Sequence, residues 1–204
     1  QADIGLSLGG GTNGDINLNT EATEGIYYLY VKVTDLAGNT AYGKTKLHGE
    51  QGIEANMEEY YIFRTAWLYG IGGNNFVKTM RNLGATRDSI NVVSDQIGTP
   101  TFANDLAYAI VKIIPQMSPE KSGIYHFTNM GVCSWYDFAT SIMELSGLKC
   151  KVNPIKSSQY PTAAPRPYYS VLDKDKTKET FGLEIPHWQD GLKRCISDLK
   201  NQTK

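Results

Sequence analysis

The chain has 204 residues, of which 20% are charged, and its formal net charge is −1. This length suits one domain, or one domain with an appendage, and the balanced charge excludes the basic surface that nucleic acids and anionic membranes attract. The three cysteines, Cys133, Cys150 and Cys195, lack the spacing of a disulfide framework or a zinc site. No apolar run or signal peptide indicates membrane association, so we predict a cytoplasmic protein.

The first forty residues differ in character from the remainder, since they are rich in Gly, Asn and Thr and nearly free of Lys and Arg. Aromatic and β-branched residues predict a strand at 26–34, and 35–39 supply turn chemistry. This segment resembles the closing strands of immunoglobulin-like repeats on bacterial surface proteins. One alternative is therefore that residues 1–40 are the functional part of the chain, as a fragment of an extracellular adhesion repeat. We place a domain boundary near residue 40, between a β-rich leader at 1–40 and a region at 41–204.

From residue 41 onward, helical and strand patterns alternate across short loops, which is typical of an α/β fold. We predict helices at 42–58, 75–83, 103–114, 134–146 and 191–200, and strands at 60–67, 91–94 and 123–128. Asn74 or Asn75 is positioned to cap the second helix. Ser134, with Asp137 three residues later, nearly matches the sequence pattern of a capping box.

Tyr42 and Lys46 have the spacing Tyr-x-x-x-Lys near the start of the first predicted helix, so both positions share one helix face. A tyrosine protonates a ketone oxygen efficiently only when its pKa of about 10 falls, and an adjacent ammonium lowers that pKa. The spacing also arises often by chance on helix surfaces, so the surrounding sequence decides between the two interpretations.

The surrounding sequence contains AYGKTKLHGEQ, YYIFRTAWLYGIGGNNFVKTM, NVVSDQIGTPTFANDLAYAI, GIYHFTNMGVCSWYDFA, YPTAAPRPYYSVLD and FGLEIPHWQDGLKRC, in this order. From residue 41 to the end, these segments resemble the dTDP-4-dehydrorhamnose reductases of the extended short-chain dehydrogenase/reductase superfamily. The resemblance implies the C-terminal part of a Rossmann-type α/β reductase with its sugar-nucleotide-binding subdomain, preceded here by the short β-rich segment.

The same resemblance implies reduction of dTDP-4-dehydro-L-rhamnose to dTDP-L-rhamnose in polysaccharide biosynthesis. Tyr42 would be the general acid, and Lys46 would lower its pKa and bind the nicotinamide ribose; both would contact the cofactor. The expected cofactor is NADPH, with NADH as an alternative and Mg²⁺ as a further ion that some relatives would use. The expected partners are a dTDP-sugar substrate and a second copy of the chain in a homodimer, without nucleic acid or membrane.

Arg64 and Trp67 lie in a segment that resembles the strand and loop beneath the nicotinamide, so we expect Arg64 to contact cofactor. Trp67 would stack on the deoxyhexose, unless it is an ordinary core aromatic. Asn74 and Asn75 open the next helix, where free N–H groups favour the substrate diphosphate, although Asn75 alone would also serve as a cap.

Gln96 lies in a segment that resembles the family's substrate loop and would hydrogen-bond the ligand, whereas a plain β-turn is the structural alternative. Arg166, between two prolines, would bind the diphosphate through its planar guanidinium, unless it is a surface arginine. His126, His187 and the cysteines have no neighbours at catalytic or ligand spacing, so we interpret them as structural and predict no metal ligands.

A dinucleotide-binding half would precede Tyr42 in this family, yet only 41 residues do so here. Gly9, Gly11 and Gly14 satisfy G-x-G-x-x-G, but no βαβ unit can follow them. Thr34 lies too close to Tyr42 to be the family's third catalytic residue. We therefore expect impaired reduction by this chain, and the alternative is a non-catalytic sugar-nucleotide-binding or regulatory module of the same fold.

Overall fold

The computed structural model describes the backbone of residues 4–6, 16–18, 29–33, 40–162 and 166–202, with side chains from residue 46 onward. The helices are α1 (Thr40–Asn56), α2 (Phe76–Thr86), α3 (Ala103–Ile113), α4 (Trp135–Ser146), α5 (Asp175–Phe181) and α6 (Trp188–Asn201). The strands are β1 (Ile4–Leu6), β2 (Ile16–Leu18), β3 (Leu29–Val33), β4 (Tyr61–Thr65), β5 (Leu68–Tyr69), β6 (Ser89–Val93), β7 (Ile97–Gly98), β8 (Thr101–Phe102), β9 (Gly123–His126), β10 (Cys133–Ser134) and β11 (Lys151–Ile155). Short 3-10 turns occupy Ile114–Gln116, Pro119–Lys121 and Ser157–Gln159.

A parallel sheet with the strand order β3-β4-β9 forms the centre of one half of the fold. Leu29 pairs with Tyr61, and Tyr61 pairs in turn with Gly123, so the three strands end at the same edge. α1 begins soon after β3 ends and connects it to β4. Its first turn therefore starts at the carboxyl edge of the sheet, where ligands of open α/β folds bind.

The two faces of this sheet bury different layers, because side chains alternate along each strand. Tyr61, Phe63 and Tyr125 pack with α3 and with Phe181 of α5 in one apolar cluster. Arg64 projects to the opposite face, where it contacts Glu50 of α1. Helices thus cover both faces, as expected for parallel strands, and the predicted α/β class is confirmed.

The other half of the fold is built on the parallel pair β6-β11, against which α2 and α4 pack; α6 packs on α4 and joins the same second apolar cluster. The chain contacts itself closely where α2 and α4 meet. A methyl group added at Gly84 of α2 would come within 2.5 Å of the Met143 sulfur on α4. Glycine therefore allows these two helices to approach closely.

The local signals in the sequence identified most of these elements. Helices near all five predicted positions are confirmed, and both caps are found: Asn75 accepts a hydrogen bond from the Lys78 N–H, and Ser134 forms a full capping box with Asp137. The sequence did not reveal β11, α5 or the two-residue strands β5, β7, β8 and β10. β11 contains Pro154 and is partly exposed, and α5 spans only two turns, so neither has a strong local signature.

The leader contributes a strand to the sheet of the following region. The strand predicted at 26–34 is confirmed over Leu29–Val33, and it pairs in parallel with β4. β1 and β2 form a separate antiparallel pair. The boundary near residue 40 and the immunoglobulin-like resemblance stay predictions, and Gly9, Gly11, Gly14 and Thr34 lie outside the described residues.

The described residues offer neither a membrane-spanning helix nor a cluster of metal ligands. None of the helices in the described ranges combines the length and apolar character that crossing a membrane requires. Among the same residues, His, Cys, Asp and Glu side chains do not gather in a group of three or more that could hold a metal ion. The expectation concerning Mg²⁺ stays a prediction.

We expect Gly84→Ala to lower the free energy of unfolding by about 1–3 kcal/mol, because overpacking against Met143 outweighs the gain in helix propensity. Gly52→Ala on α1 is the matched control, since nothing lies within 4 Å of its added methyl group. This control should stabilise the chain by up to about 1 kcal/mol. Urea unfolding of both variants measures the difference, and equal stabilisation by the two changes would contradict the close packing of α2 on α4.

Candidate functional site

A pocket of about 440 Å³ lies between α2, β6, the start of α4 and the segment that contains Tyr160 and Arg166. Its floor is apolar and is formed by Met80, Leu83, Ile90 and Val92. Gln96 and Arg166, both predicted ligand-binding residues, line this same pocket. An apolar cavity with a few converging polar groups is the usual form of a small-molecule site.

Gln96 is held in place by a short chain of hydrogen bonds. Its side chain is 9% exposed, and Nε2 donates to Ser157 Oγ at 2.9 Å. Ser157 Oγ in turn donates to Asp95 Oδ1 at 2.6 Å, and this hydrogen bond holds the pKa of Asp95 below its ordinary value. The network therefore orients Gln96 before any ligand arrives.

Phe76 and Trp135 form an aromatic wall of the pocket, and Trp67 stacks on Trp135. The rings of Trp135 and Trp67 stack with centroids 3.5 Å apart and an interplanar angle of 14°. Phe76 packs on Trp135 from the opening of α2, with ring centroids 4.7 Å apart. Trp135 lines the pocket directly, whereas Trp67 lies behind it.

Both the backbone and the ring of Trp67 are conformationally constrained. Its backbone has a φ of 50°, the only positive φ at a non-glycine residue among those described. A methyl group added at Gly98 would lie 2.6 Å from two carbons of the Trp67 ring. Trp135 covers one ring face, so the stacking of Trp67 on a sugar stays a prediction, and Trp135 offers the aromatic surface that faces the pocket.

Asn75 and Asn74 have different environments at the start of α2. Asn75 caps the helix, and its Nδ2 also donates to the carbonyl oxygens of Gly70 and Gly72 at 2.8 and 3.2 Å. Asn74 lines a separate surface depression together with Lys78. The structure therefore brings Gln96 and Arg166 together in one pocket but does not bring Asn74 to the same pocket.

Tyr42 and Lys46 lie one turn apart on α1, as their spacing predicts. The Lys46 side chain is partly buried, and the Tyr42 side chain lies outside the described residues. Because α1 begins at the carboxyl edge of the sheet, both positions lie at the end of the helix that is nearest to that edge. Their catalytic and cofactor-binding roles stay predictions.

Arg64 forms a bidentate ion pair with Glu50, which lies on the same face of α1 as Lys46. Its Nε and Nη2 donate to the two carboxylate oxygens at 3.0 and 2.7 Å. Glu50 is 1% exposed and the Arg64 side chain is 30% exposed. The hydrogen bond to Glu50 raises the pKa of Arg64. The pair fixes α1 against β4, and the predicted contact of Arg64 with cofactor stays a prediction.

A second polar network joins α3, α6 and the loop after β9. Asn129 is fully buried; it accepts a hydrogen bond from the Phe102 N–H and donates to Asp105 Oδ2 at 2.7 Å. Asp105 is 5% exposed and forms an ion pair with Arg194 at 2.6 Å. This network fixes the loop after β9 relative to α6.

The cysteines and His126 have the environments of structural residues. Burial raises the pKa of Cys195 to about 11, and burial likewise raises the pKa of Cys133 far above its ordinary value. Both thiols therefore stay protonated near neutral pH and are poor nucleophiles. Burial lowers the pKa of His126, whose Nδ1 lies 3.0 Å from the Asp173 carbonyl oxygen.

Sequence reasoning missed the contribution of Trp135 to the pocket. The residue follows the Ser134 cap, and the capping box places the first turn of α4 with its aromatic side chain. An aromatic residue directly after a helix cap was the only local signal, because the contact with Trp67 depends on the tertiary fold.

We expect Gly98→Ala to displace the Trp67 ring and to weaken its stacking on Trp135, since the added methyl group overlaps two ring carbons. Near-ultraviolet circular dichroism measures the change, because closely stacked indoles give coupled signals. Gly72→Ala is the control, as its methyl group meets nothing within 4 Å. An unchanged spectrum in Gly98→Ala would show that the stack does not depend on this close approach.

Several known proteins are similar to this chain. A family model described as "RmlD substrate binding domain" matches residues 28–201. The spore coat polysaccharide biosynthesis protein SpsK of Bacillus subtilis is 43% identical over 159 residues, which cover 78% of this chain and 54% of that protein. The crystal structure of a dTDP-4-dehydrorhamnose reductase from Clostridium acetobutylicum is 46% identical, with a TM-score of 0.75, over 88% of this chain and 61% of that one.

A second similar structure contains a bound cofactor. The dTDP-4-dehydrorhamnose reductase of Bacillus anthracis, solved in complex with NADP, is 35% identical with a TM-score of 0.78, over 84% of this chain and 66% of that one. The chain thus spans about half to two thirds of the length of the proteins that it matches.

Proposed function

Since this chain belongs to the RmlD substrate binding domain family, we propose that it binds a dTDP-linked deoxysugar. In this proposal the chain takes part in the NADPH-dependent reduction of dTDP-4-dehydro-L-rhamnose to dTDP-L-rhamnose. Relatives that cover most of this chain are dTDP-4-dehydrorhamnose reductases, which supports the reaction. One observation carries the proposal: Gln96 and Arg166 line a single aromatic-walled pocket that runs beside α2.

The pocket has the chemistry that a nucleotide sugar requires. Its apolar floor suits the ring of a base or the C–H face of a sugar. Arg166 supplies a planar guanidinium that suits phosphate oxygens, and Gln96 supplies an oriented amide. The opening of α2 contributes the positive end of a helix dipole, which favours the same anion.

The catalytic part of the proposal rests on α1. Tyr42 gives a proton to the sugar oxygen at C4 as hydride arrives at the carbon, and the C–O π electrons become the new O–H bond. Lys46, one helical turn further on, favours the phenolate that this transfer leaves on Tyr42. Glu50 and Arg64 act indirectly, because their ion pair holds α1 in position.

Two residues of α1 are proposed to bind the cofactor. Lys46 and Tyr42 would contact the nicotinamide ribose, and their place at the carboxyl edge of parallel strands fits a dinucleotide site. NADPH supplies the hydride when bound. The similarity to an NADP complex supports NADPH over NADH. Mg²⁺, a homodimer and a cytoplasmic location stay predictions.

Arg166→Ala should weaken the binding of dTDP by about 10- to 100-fold, since hydrogen bonds to charged groups contribute roughly 1.5–3 kcal/mol. Isothermal titration of the purified chain with dTDP measures the effect. Arg81→Ala is the matched control, because Arg81 lies on α2 outside this pocket. Equal affinities of the two variants would contradict the role of Arg166.

Turnover is tested by following NADPH oxidation in the presence of dTDP-4-dehydro-L-rhamnose. We expect Tyr42→Phe to abolish any substrate-dependent oxidation, because the phenol is the proposed proton donor. Oxidation that survives in Tyr42→Phe would overturn this assignment. Binding of dTDP without NADPH oxidation by the wild-type chain would favour the rival function, a non-catalytic sugar-nucleotide-binding module.

A further inference from the structure

His126 and Arg64 lie side by side at the carboxyl edge of the sheet. They are paired positions near the ends of the parallel strands β9 and β4. Paired residues of neighbouring strands point their side chains to the same face of a sheet. The His126 ring therefore shares the face on which Arg64 contacts Glu50 of α1. The preceding residue, Tyr125, points to the other face and packs in the apolar cluster there.

One hydrogen bond determines which nitrogen of the His126 ring carries the hydrogen. Nδ1 lies 3.0 Å from the backbone carbonyl oxygen of Asp173. Since a carbonyl oxygen only accepts, Nδ1 donates in the neutral ring, and Nε2 is the nitrogen that can take up a proton. The backbone of the same strand is held by α5, where Thr177 Oγ1 donates to the His126 carbonyl oxygen and Lys176 Nζ donates to that of Ile124.

Charged groups act on His126 from three elements. Arg64 lies beside it on β4, Glu50 belongs to α1, and Asp173 precedes α5. Burial is the main cause that lowers the pKa of His126, and the charge of Arg64 lowers it further. The Asp173 carbonyl oxygen and the carboxylates of Asp173 and Glu50 oppose this shift.

We propose that His126 is a positioning residue whose neutral ring keeps the Arg64–Glu50 ion pair intact, and that a protonated ring loosens α1 from the sheet. A second positive charge beside the guanidinium repels Arg64 and attracts Glu50, so it weakens the bidentate contact between them. Tyr42 and Lys46 lie on the same helix, so acid would also displace the proposed proton donor and its partner. This last consequence rests on the proposed function, whereas the response of α1 itself does not.

The direction of the pH dependence follows from the two states of His126. Its ring titrates near pH 6.5 when it is exposed to water, roughly the ordinary histidine value, and its pKa in the folded chain is lower. Between these two values, the state in which α1 has opened binds more protons than the closed state. The closed state is therefore fully stable above about pH 6.5 and loses stability as the pH falls below it.

Amide hydrogen exchange of residues 46–56 measures this response in the chain without ligand. After correction for the intrinsic pH dependence of exchange, protection in the wild-type chain should fall about fivefold between about pH 7.5 and about pH 5.5. His126→Asn should abolish this fall, because the amide still donates to the Asp173 carbonyl oxygen but takes up no proton. His48→Asn makes the same change at an exposed position of α1 and should keep the wild-type response.

The outcomes separate this inference from the proposed function. Protection that stays constant in the wild-type chain, or that falls equally in His126→Asn, would overturn the positioning role and leave the proposed reaction standing. If His126→Asn does not fold, nuclear magnetic resonance of the wild-type chain provides the test. The Arg64 Nε–H signal should shift with the same midpoint as the His126 ring, and an Arg64 signal that does not shift would overturn the role. A chain that shows the pH response but neither binds dTDP nor oxidises NADPH would overturn the proposed function alone.

Discussion

Arg64→Ala is expected to lower the free energy of unfolding by about 3 kcal/mol, the lower end of the range for breaking a buried ion pair. The variant removes two hydrogen bonds from a carboxylate that is only 1% exposed. Because 30% of the Arg64 side chain is exposed, solvent already screens part of the interaction, which places the expected loss at that lower end. Urea unfolding followed by circular dichroism measures the change.

Lys178→Ala provides the comparison for this variant. Lys178 pairs with Asp175 at 3.0 Å, but both side chains are more than one third exposed. Surface pairs of this kind contribute about 1 kcal/mol or less. A loss in Arg64→Ala no greater than that in Lys178→Ala would show that the Glu50 pair does not fix α1 on β4. Arg64→Lys should recover only part of the loss, since an ammonium cannot make the bidentate contact.

Asp105→Ala is expected to lower the free energy of unfolding by about 3 kcal/mol, because it too breaks an ion pair that involves a buried carboxylate. The variant leaves the buried Asn129 amide without one acceptor and removes the ion-pair partner of Arg194. Since Asn129 also accepts from the Phe102 N–H, the effect should spread to the loop after β9. Hydrogen exchange should therefore increase in that loop and at the start of α6.

A double-mutant cycle isolates the ion pair from the remainder of the network. If Asp105 and Arg194 act together, the loss in the double variant with Arg194→Ala should be smaller than the sum of the single losses. The control cycle replaces Asp105→Ala by Asp190→Ala, because the Asp190 side chain is 60% exposed and its ion pair, at 3.5 Å, is with Lys193. Additive losses at Asp105 and Arg194 would mean that the two side chains contribute independently.

Features encoded over short stretches of sequence were predictable. The caps of α2 and α4 depend on side chains within three residues of the helix start, so Asn75 and the pair Ser134 and Asp137 were identified directly. Gln96 and Arg166, two of the polar residues that line the pocket, were singled out through segments that resemble a family; the structure places both at one pocket, and their contacts with a ligand stay predictions.

Features that depend on tertiary contacts were not predictable in the same way. Glu50 and Arg64 lie on different elements, and nothing in either segment indicates that they pair. Trp67 was expected to face a ligand, but its contact with Trp135 requires α4 to reach the loop after β4. β11 pairs with β6, but its own residues give a weak strand signal, because Asn153 and Pro154 disfavour a strand and only Val152 and Ile155 favour one.

The pairing of β6 with β11 also determines when the pocket can form during folding. Ser89 pairs with Lys151, and in the other sheet Tyr61 pairs with Gly123, so each strand finds a partner far along the chain. Such distant contacts require the closure of long loops, which slows folding. Because the floor residues Ile90 and Val92 belong to β6, we expect them to become ordered only when β6 pairs with β11. A ligand that binds this floor would therefore act mainly on the lifetime of the folded chain, by slowing its unfolding.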